Sequence, residues 1–547
     1  MSDCRPSSSN FLKKNGSRVS AIRIEIRIPW QAMLSGCQGI ELTEQGADAM
    51  SRTKLASVGT RAVASTVLTI IGFAGFGTVL GAPPTGLTIA RDRAGYIGTY
   101  STSGADATNA FFQSLGTNGR SCSTCHVAAE AMSFTPMHAQ RLYESTHGAD
   151  PLFASVDGAN CSTVATRDRA GHSLLLKSGL IRIPTPVPPN AEFSISVVHD
   201  PYGCALRIDP KTQLLTASVY RRPLPTANVS FLSAVMFDGR ETILPLTSTA
   251  TLDANLRADL IHQATDATLN HAQAAQAPNE AQLESIVDFE LGTYSAQYWD
   301  DEAGLLSDHG AQGGPVGLAN QLYYPGINDT LGADPNGIPF TPVSMSLFSA
   351  WEPSPARHTA GERAEARARI AAGEKLFNSA PMMIANVRGL NDNAALNKPA
   401  SFSGTCATCH DTPNIGHHSL PLPLDIGTGH SANPSYESDP VIAGAVSQLS
   451  MPDLPVFLIS GCTSPFSAGQ VASFYTTDPG RALITGHCAD FNRVKGPILR
   501  GLAARAPYFH NGSAADLREL VNFYNQRFAM ALNNKQEADL VAFLNSL

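Results

Sequence analysis

The pentapeptide Cys122-Ser123-Thr124-Cys125-His126 recurs in kind as Cys406-Ala407-Thr408-Cys409-His410. No other feature constrains the chain as tightly. Two thiols at this spacing can each form a thioether to one edge of a flat porphyrin, and the next residue then sets its imidazole beneath the iron. A structural zinc site would need further Cys or His at short spacing, and neither motif has a second C-x-x-C nearby. The sequence therefore predicts two covalently bound haem c groups. Cys122, Cys125, Cys406 and Cys409 attach them, and His126 and His410 are axial iron ligands.

The N-terminal region reads as an export signal. Arg52, Lys54 and Arg61 precede an apolar stretch from Ala62 to Ala82, and no Asp or Glu falls between Ser51 and Arg91. A basic start, an apolar centre and small residues at the end match a cleaved signal; an uncleaved anchor of the same length is the alternative. Met50 stands directly ahead of the basic residues, so residues 1–49 read as a doubtful extension and 50–82 as the signal. The expected location is periplasmic, with no membrane attachment after cleavage. A net charge of −8 argues against a nucleic-acid partner, which wants a basic face.

Among the ten cysteines, Cys161, Cys204, Cys462 and Cys488 lie outside both the motifs and the extension. In an exported chain they could form the pairs Cys161–Cys204 and Cys462–Cys488. Helical patterning is clearest over Glu362–Phe377 and in two C-terminal segments, one with Leu517, Leu520, Val521 and Tyr524 on one face. Leu252–Leu291 is also helix-like, Ala110–Leu115 leads into a break at Gly116, the Pro-rich Ile183–Asn190 must be extended or turning, and Phe193–Val198 alternates as a strand. A helix followed by a Cys motif, twice, predicts a mainly α fold. It would hold two cytochrome c-like haem domains with loop-rich insertions, over residues 83–350 and 351–547.

What each haem does depends on the sixth position of its iron. His138, His262, His271, His417, His418, His430, His487, His510, Tyr524 and Met530 are all candidates, and composition does not choose among them. The segment from Lys495 to Ser513, which contains Ala-Pro-Tyr-Phe-His-Asn-Gly-Ser, resembles the C-terminal signature of bacterial di-haem cytochrome c peroxidases and their MauG relatives. So does Met236-Phe237-Asp238-Gly239-Arg240, preceded by Arg221-Arg222-Pro223-Leu224-Pro225-Thr226-Ala227-Asn228. The likeness covers roughly Asp106 to Leu547.

This resemblance implies unequal haems. The one on His126 would meet peroxide, and the one on His410 would relay electrons with a second axial ligand on the helix after Tyr-Phe-His-Asn-Gly. That position matches Tyr524, as in MauG, in preference to Met530, which lies about a turn and a half further on. Two departures stand out. The family's inter-haem Trp is here Phe237, and its distal Glu aligns with Gln273, which cannot act as acid or base. His271 is then the candidate for that role. Arg240 and Arg500 are candidates for holding haem propionates or for ordering the loop between the domains. The family's calcium between the domains would fall near Asn228 and Thr485, although Cys488 departs from the pattern there.

The expected function is a periplasmic di-haem c-type oxidoreductase. It would reduce hydrogen peroxide at the N-terminal haem, with electrons from a small cytochrome or cupredoxin relayed through the C-terminal haem past Phe237. Loss of the acid at Gln273 would also suit a di-haem oxygenase using molecular oxygen. Two six-coordinate irons would instead leave a non-enzymatic electron carrier.

Overall fold

The computed structural model describes residues 84–547 except 105, 243–248, 354–360, 432, 434–438 and 464–470. The extension and the export signal read from the sequence lie outside the described residues. In chain order the strands are β1 (Leu87–Arg91), β2 (Gly95–Ser101), β3 (Ile181–Pro186), β4 (Ser194–His199), β5 (Leu206–Ile208), β6 (Leu215–Arg221), β7 (Thr293–Asp300), β8 (Gly304–Leu305), β9 (Met382–Ala385), β10 (Ser401–Gly404), β11 (Val456–Thr463) and β12 (Val471–Thr476). The helices are α1 (Pro136–Thr146), α2 (Ser173–Ser178), α3 (Thr249–Asn270), α4 (Glu280–Leu291), α5 (Pro315–Leu318), α6 (Glu362–Ser379), α7 (Pro440–Val446), α8 (Ala482–Thr485), α9 (Leu517–Arg527) and α10 (Asn534–Asn545).

The expectation of a mainly α fold with cytochrome c-like domains is overturned. Helix makes up 32% and strand 17% of the described residues, and the strands form several small antiparallel sheets. Their orders are β1-β2-β7-β8, β3-β6-β5, β12-β11-β4 and β10-β9. The physical reason lies in segments such as Leu-Thr-Ala-Ser-Val-Tyr-Arg (β6) and Thr-Tyr-Ser-Ala-Gln-Tyr-Trp-Asp (β7), whose β-branched and aromatic residues fit a pleated surface. Their partners are distant in sequence: β2 pairs with β7 so that Ile97 faces Gln297.

The helical expectations divide by periodicity. Glu362–Phe377 is helical within α6, and the C-terminal pair forms α9 and α10. The stretch Leu252–Leu291 is split into α3 and α4, with Asn279 and Gln282 capping the start of α4 reciprocally. Ala110–Phe112 is a single 3-10 turn rather than a helix. α6, α9 and α10 share a core with Ala303, Leu306, Phe348 and Trp351. α6 and α10 approach closely at Gly373, where a Cβ would collide with the Asp539 carbonyl and with Phe543. Cys462 and Cys488 are joined in a disulfide, whereas Cys161 and Cys204 are buried thiols. No described helix is long and apolar enough to cross a membrane.

Candidate functional site

The two Cys motifs fold alike. Each begins as a 3-10 turn, Cys122–Thr124 or Cys406–Thr408. A side-chain hydroxyl caps each turn: Ser121 N–H donates to Thr124 Oγ1 at 3.1 Å, and Thr405 N–H to Thr408 Oγ1 at 3.0 Å. The His amide then closes on the first Cys carbonyl, at 3.1 Å for His126 and 3.0 Å for His410. Each imidazole is oriented by a carbonyl six residues further on. His126 Nδ1 lies 3.1 Å from Met132 O, and His410 Nδ1 lies 2.7 Å from Gly416 O. A carbonyl can only accept, so Nδ1 carries the proton and Nε2 keeps its lone pair. Burial pushes both imidazoles down to about 4, which keeps them neutral, the form that binds a metal.

Each motif lies on the wall of its own cavity. The N-terminal cavity is lined by Cys122, Cys125 and His126 together with Leu115, Leu260, Ala264 and Ile286. The C-terminal cavity is lined by Cys406, Cys409 and His410 together with Phe377, Leu424, Leu520 and Leu544. Pro223, Leu224 and Pro225 line both. This shared wall is held by Arg221, which is fully buried and bonds Asp238 at 2.5 Å and Asp478 at 2.6 and 2.9 Å. Arg221 holds the Asp238 carboxyl down at about 2, against the opposing effect of burial.

The cavities fit haem c by the chemistry of their donors. Each offers the two thiols of its motif, the motif imidazole with a free Nε2 and mainly apolar walls. Cations that could meet propionates are present too: Arg120 in the first cavity, and Arg222, Lys495 and Arg505 in the second. His510, on the C-terminal wall, makes no hydrogen bond through either ring nitrogen.

The other expected site residues divide. His271 lines the N-terminal cavity, and its Nδ1 bonds the buried Asp157, which also pairs with Arg120. Gln273 is exposed and off the wall, because α3 ends at Asn270 and Gln273 takes a left-handed turn (φ 54°). Phe237 lines the C-terminal cavity, its ring centre 6.0 Å from that of His510. Tyr524 and Met530 both line that cavity. α9 ends at Arg527, so helical spacing does not separate them.

Arg240 and Arg500 line neither cavity. Arg240 pairs with Asp238 and Glu241, and the buried Arg500 donates to Asn414 O at 3.1 Å. Asn228 is engaged with Ser295 through both ends of its amide, at 2.9 and 3.0 Å. Thr485 Oγ1 donates to Asp490 and accepts from His487 N–H, so neither side-chain oxygen expected near a calcium is open.

Glu290 is the residue that sequence reasoning missed. It lies on the wall of the N-terminal cavity at 3% exposure, and its Oε2 has no hydrogen-bond partner. Burial alone pushes its carboxyl up to about 8, so it is protonated at neutral pH. The available signal was an acid among Ile286, Val287 and Phe289 on the buried side of α4.

No family model matches the chain. A cytochrome-c peroxidase, IdrP2, from Denitromonas iodatirespirans is 38% identical over 78 residues, covering 13% of this chain and 21% of the relative. A cytochrome c551 peroxidase from Nitrosomonas europaea is 34% identical over 90 residues, covering 16% of this chain and 27% of the relative. The chain thus matches about a fifth to a quarter of the length of these relatives. Motifs and cavities together offer the donor set that haem c requires. Over these two short stretches the chain is similar to bacterial cytochrome c peroxidases.

Proposed function

We propose that this chain is a periplasmic di-haem peroxidase. Its N-terminal half, residues 83–350, would reduce hydrogen peroxide in the cavity of His126. Its C-terminal half, 351–547, would pass in electrons from a small cytochrome or cupredoxin. The observation that carries this reading is the repeated one: a C-x-x-C-H turn on a large apolar cavity, its imidazole pinned through Nδ1 with Nε2 free.

Bound haem would supply an iron that takes up peroxide and exchanges single electrons. The protein's part is to manage protons and exclude water. Asp157 accepts from His271 Nδ1, which leaves Nε2 to hold or move a proton at the N-terminal cavity. Arg120 compensates the Asp157 charge. Glu290, protonated at neutral pH, is a second proton source on the same wall. Together they could deliver the protons that turn peroxide into water. On the other side of the Pro223–Pro225 wall, Tyr524 or Met530 would fill the sixth position of the relay haem.

The test uses chain exported in a host with haem-maturation machinery. Covalent haem per chain and the peroxide response of the ferric and half-reduced spectra are measured. Two haems with one high-spin site that turns over peroxide are expected. Colourless protein, or two low-spin sites inert to peroxide, would overturn the proposal.

A further inference from the structure

Behind the C-terminal motif, Asp411 meets Asp329 and His418, one ligand atom of each lying within 4.8 Å of the others. His418 Nδ1 is 3.4 Å from Asp411 Oδ2 and 3.9 Å from Asp329 Oδ1. All three residues are buried. Each carboxylate anchors one oxygen on the backbone: Asp411 Oδ1 accepts Ser419 N–H at 2.7 Å, and Asp329 Oδ2 accepts Ala333 N–H at 2.8 Å. The other two oxygens turn toward His418. Asp411 Oδ2 has only long contacts to Thr330, at 3.3 and 3.4 Å, and Asp329 Oδ1 accepts no hydrogen bond.

Leu420 N–H lies 3.3 Å from His418 Nδ1, so the single lone pair of that nitrogen now accepts a long backbone hydrogen bond, which a bound ion would displace. No Lys or Arg among the described residues is ion-paired with either acid. Two buried carboxyl oxygens and one imidazole nitrogen thus converge with no Lys or Arg paired to them, and buried polar atoms left without partners are costly.

We propose that Asp329, Asp411 and His418 bind one divalent transition-metal cation of the Zn²⁺ or Mn²⁺ kind. Two carboxylate oxygens and one imidazole nitrogen suit such ions; Ca²⁺ prefers an all-oxygen shell. Asp411 and His418 bracket the loop that carries Gly416, whose carbonyl holds His410 Nδ1. The ion would therefore clamp the segment that orients this imidazole. The site does not depend on the peroxidase reading.

The test uses full-length exported protein, stripped with chelator and dialysed against Zn²⁺, Mn²⁺ or Ca²⁺, followed by elemental analysis and thermal unfolding. The expected result is about one equivalent of Zn²⁺ or Mn²⁺ beyond haem iron, with a raised Tm that chelator reverses. Asp329→Asn should retain less than about a fifth of that metal at unchanged haem content. Should it fail to fold, His418→Gln replaces it, and the Tm response of the parent is read alone. Retention of Ca²⁺ only, no retained metal, or variants that bind as the parent does would overturn the proposal.

Discussion

Met236 and Phe237 are consecutive residues that line different cavities, Met236 the N-terminal one and Phe237 the C-terminal one. A left-handed backbone at Met236 (φ 66°) and the Arg221–Asp238 ion pair hold the chain at this crossing. Pro223, Leu224 and Pro225 complete the partition.

Electron passage across this partition should therefore not depend on the ring of Phe237. Phe237→Leu keeps most of the apolar volume and should cost about 1 kcal/mol of stability. Peroxide turnover should stay within about tenfold of the parent, a barrier change below about 1.4 kcal/mol. Stopped-flow reoxidation of the half-reduced protein measures it. A loss beyond about a hundredfold would place the ring on the route.

Glu290 should impose a pH dependence on stability. An unfolded Glu titrates near about 4.3, whereas this one is raised to about 8 by burial. Between those values the native state holds a proton that the unfolded state lacks, so stability falls as pH rises from about 4.3 to about 8. His126 and His410, both lowered to about 4, act in the opposite direction below pH ~6.5. Arg120, Cys122, Asp157 and His271 share the cavity. Comparing Glu290→Gln with the parent cancels these neighbours to first order. The variant should gain, between pH 5 and 8.5, on the order of 1–3 kcal/mol relative to the parent in urea unfolding. Parallel pH profiles would refute the assignment.

What could be read from the sequence follows from the range of the forces involved. Attachment chemistry is local: Cys122 to His126 and Cys406 to His410 must sit at fixed spacing, so their turns were legible. α6, α9 and α10 were legible through the period of their buried faces. The sheets were not, because a strand's partner is set by tertiary packing, as where Ile97 meets Gln297. Gln273 lies off the cavity wall because α3 ends before it, and the helical count that ranked Tyr524 above Met530 lapses once α9 ends at Arg527. Glu290 escaped notice because an acid on a helix ordinarily faces water.

The Cys462–Cys488 disulfide spans a sequence separation of 26 and ties β11 to the turn after α8. A loop of this length should stabilise the fold by about 3 kcal/mol through the unfolded chain. Cys488→Ser should lower the denaturant midpoint accordingly under oxidising conditions and leave haem content intact. An unchanged midpoint would mean that the bond does not constrain the unfolded state.

Tyr524 and Met530 compete for one role, since both line the cavity of His410. Tyr524 packs among Phe509, Phe523 and Phe528, and burial raises its hydroxyl well above the usual phenol range. A phenolate there would thus need the iron's own charge to hold it, and it would lower the reduction potential; a Met thioether needs no such compensation and would raise it. Tyr524→Phe and Met530→Leu are both close in volume to the parent residues, so packing should cost under about 1.5 kcal/mol each. If Tyr524 is the ligand, Tyr524→Phe alone should convert the low-spin signal and raise the potential. Met530→Leu should then leave both unchanged. The reverse pattern, read by electron paramagnetic resonance and redox titration, would assign Met530.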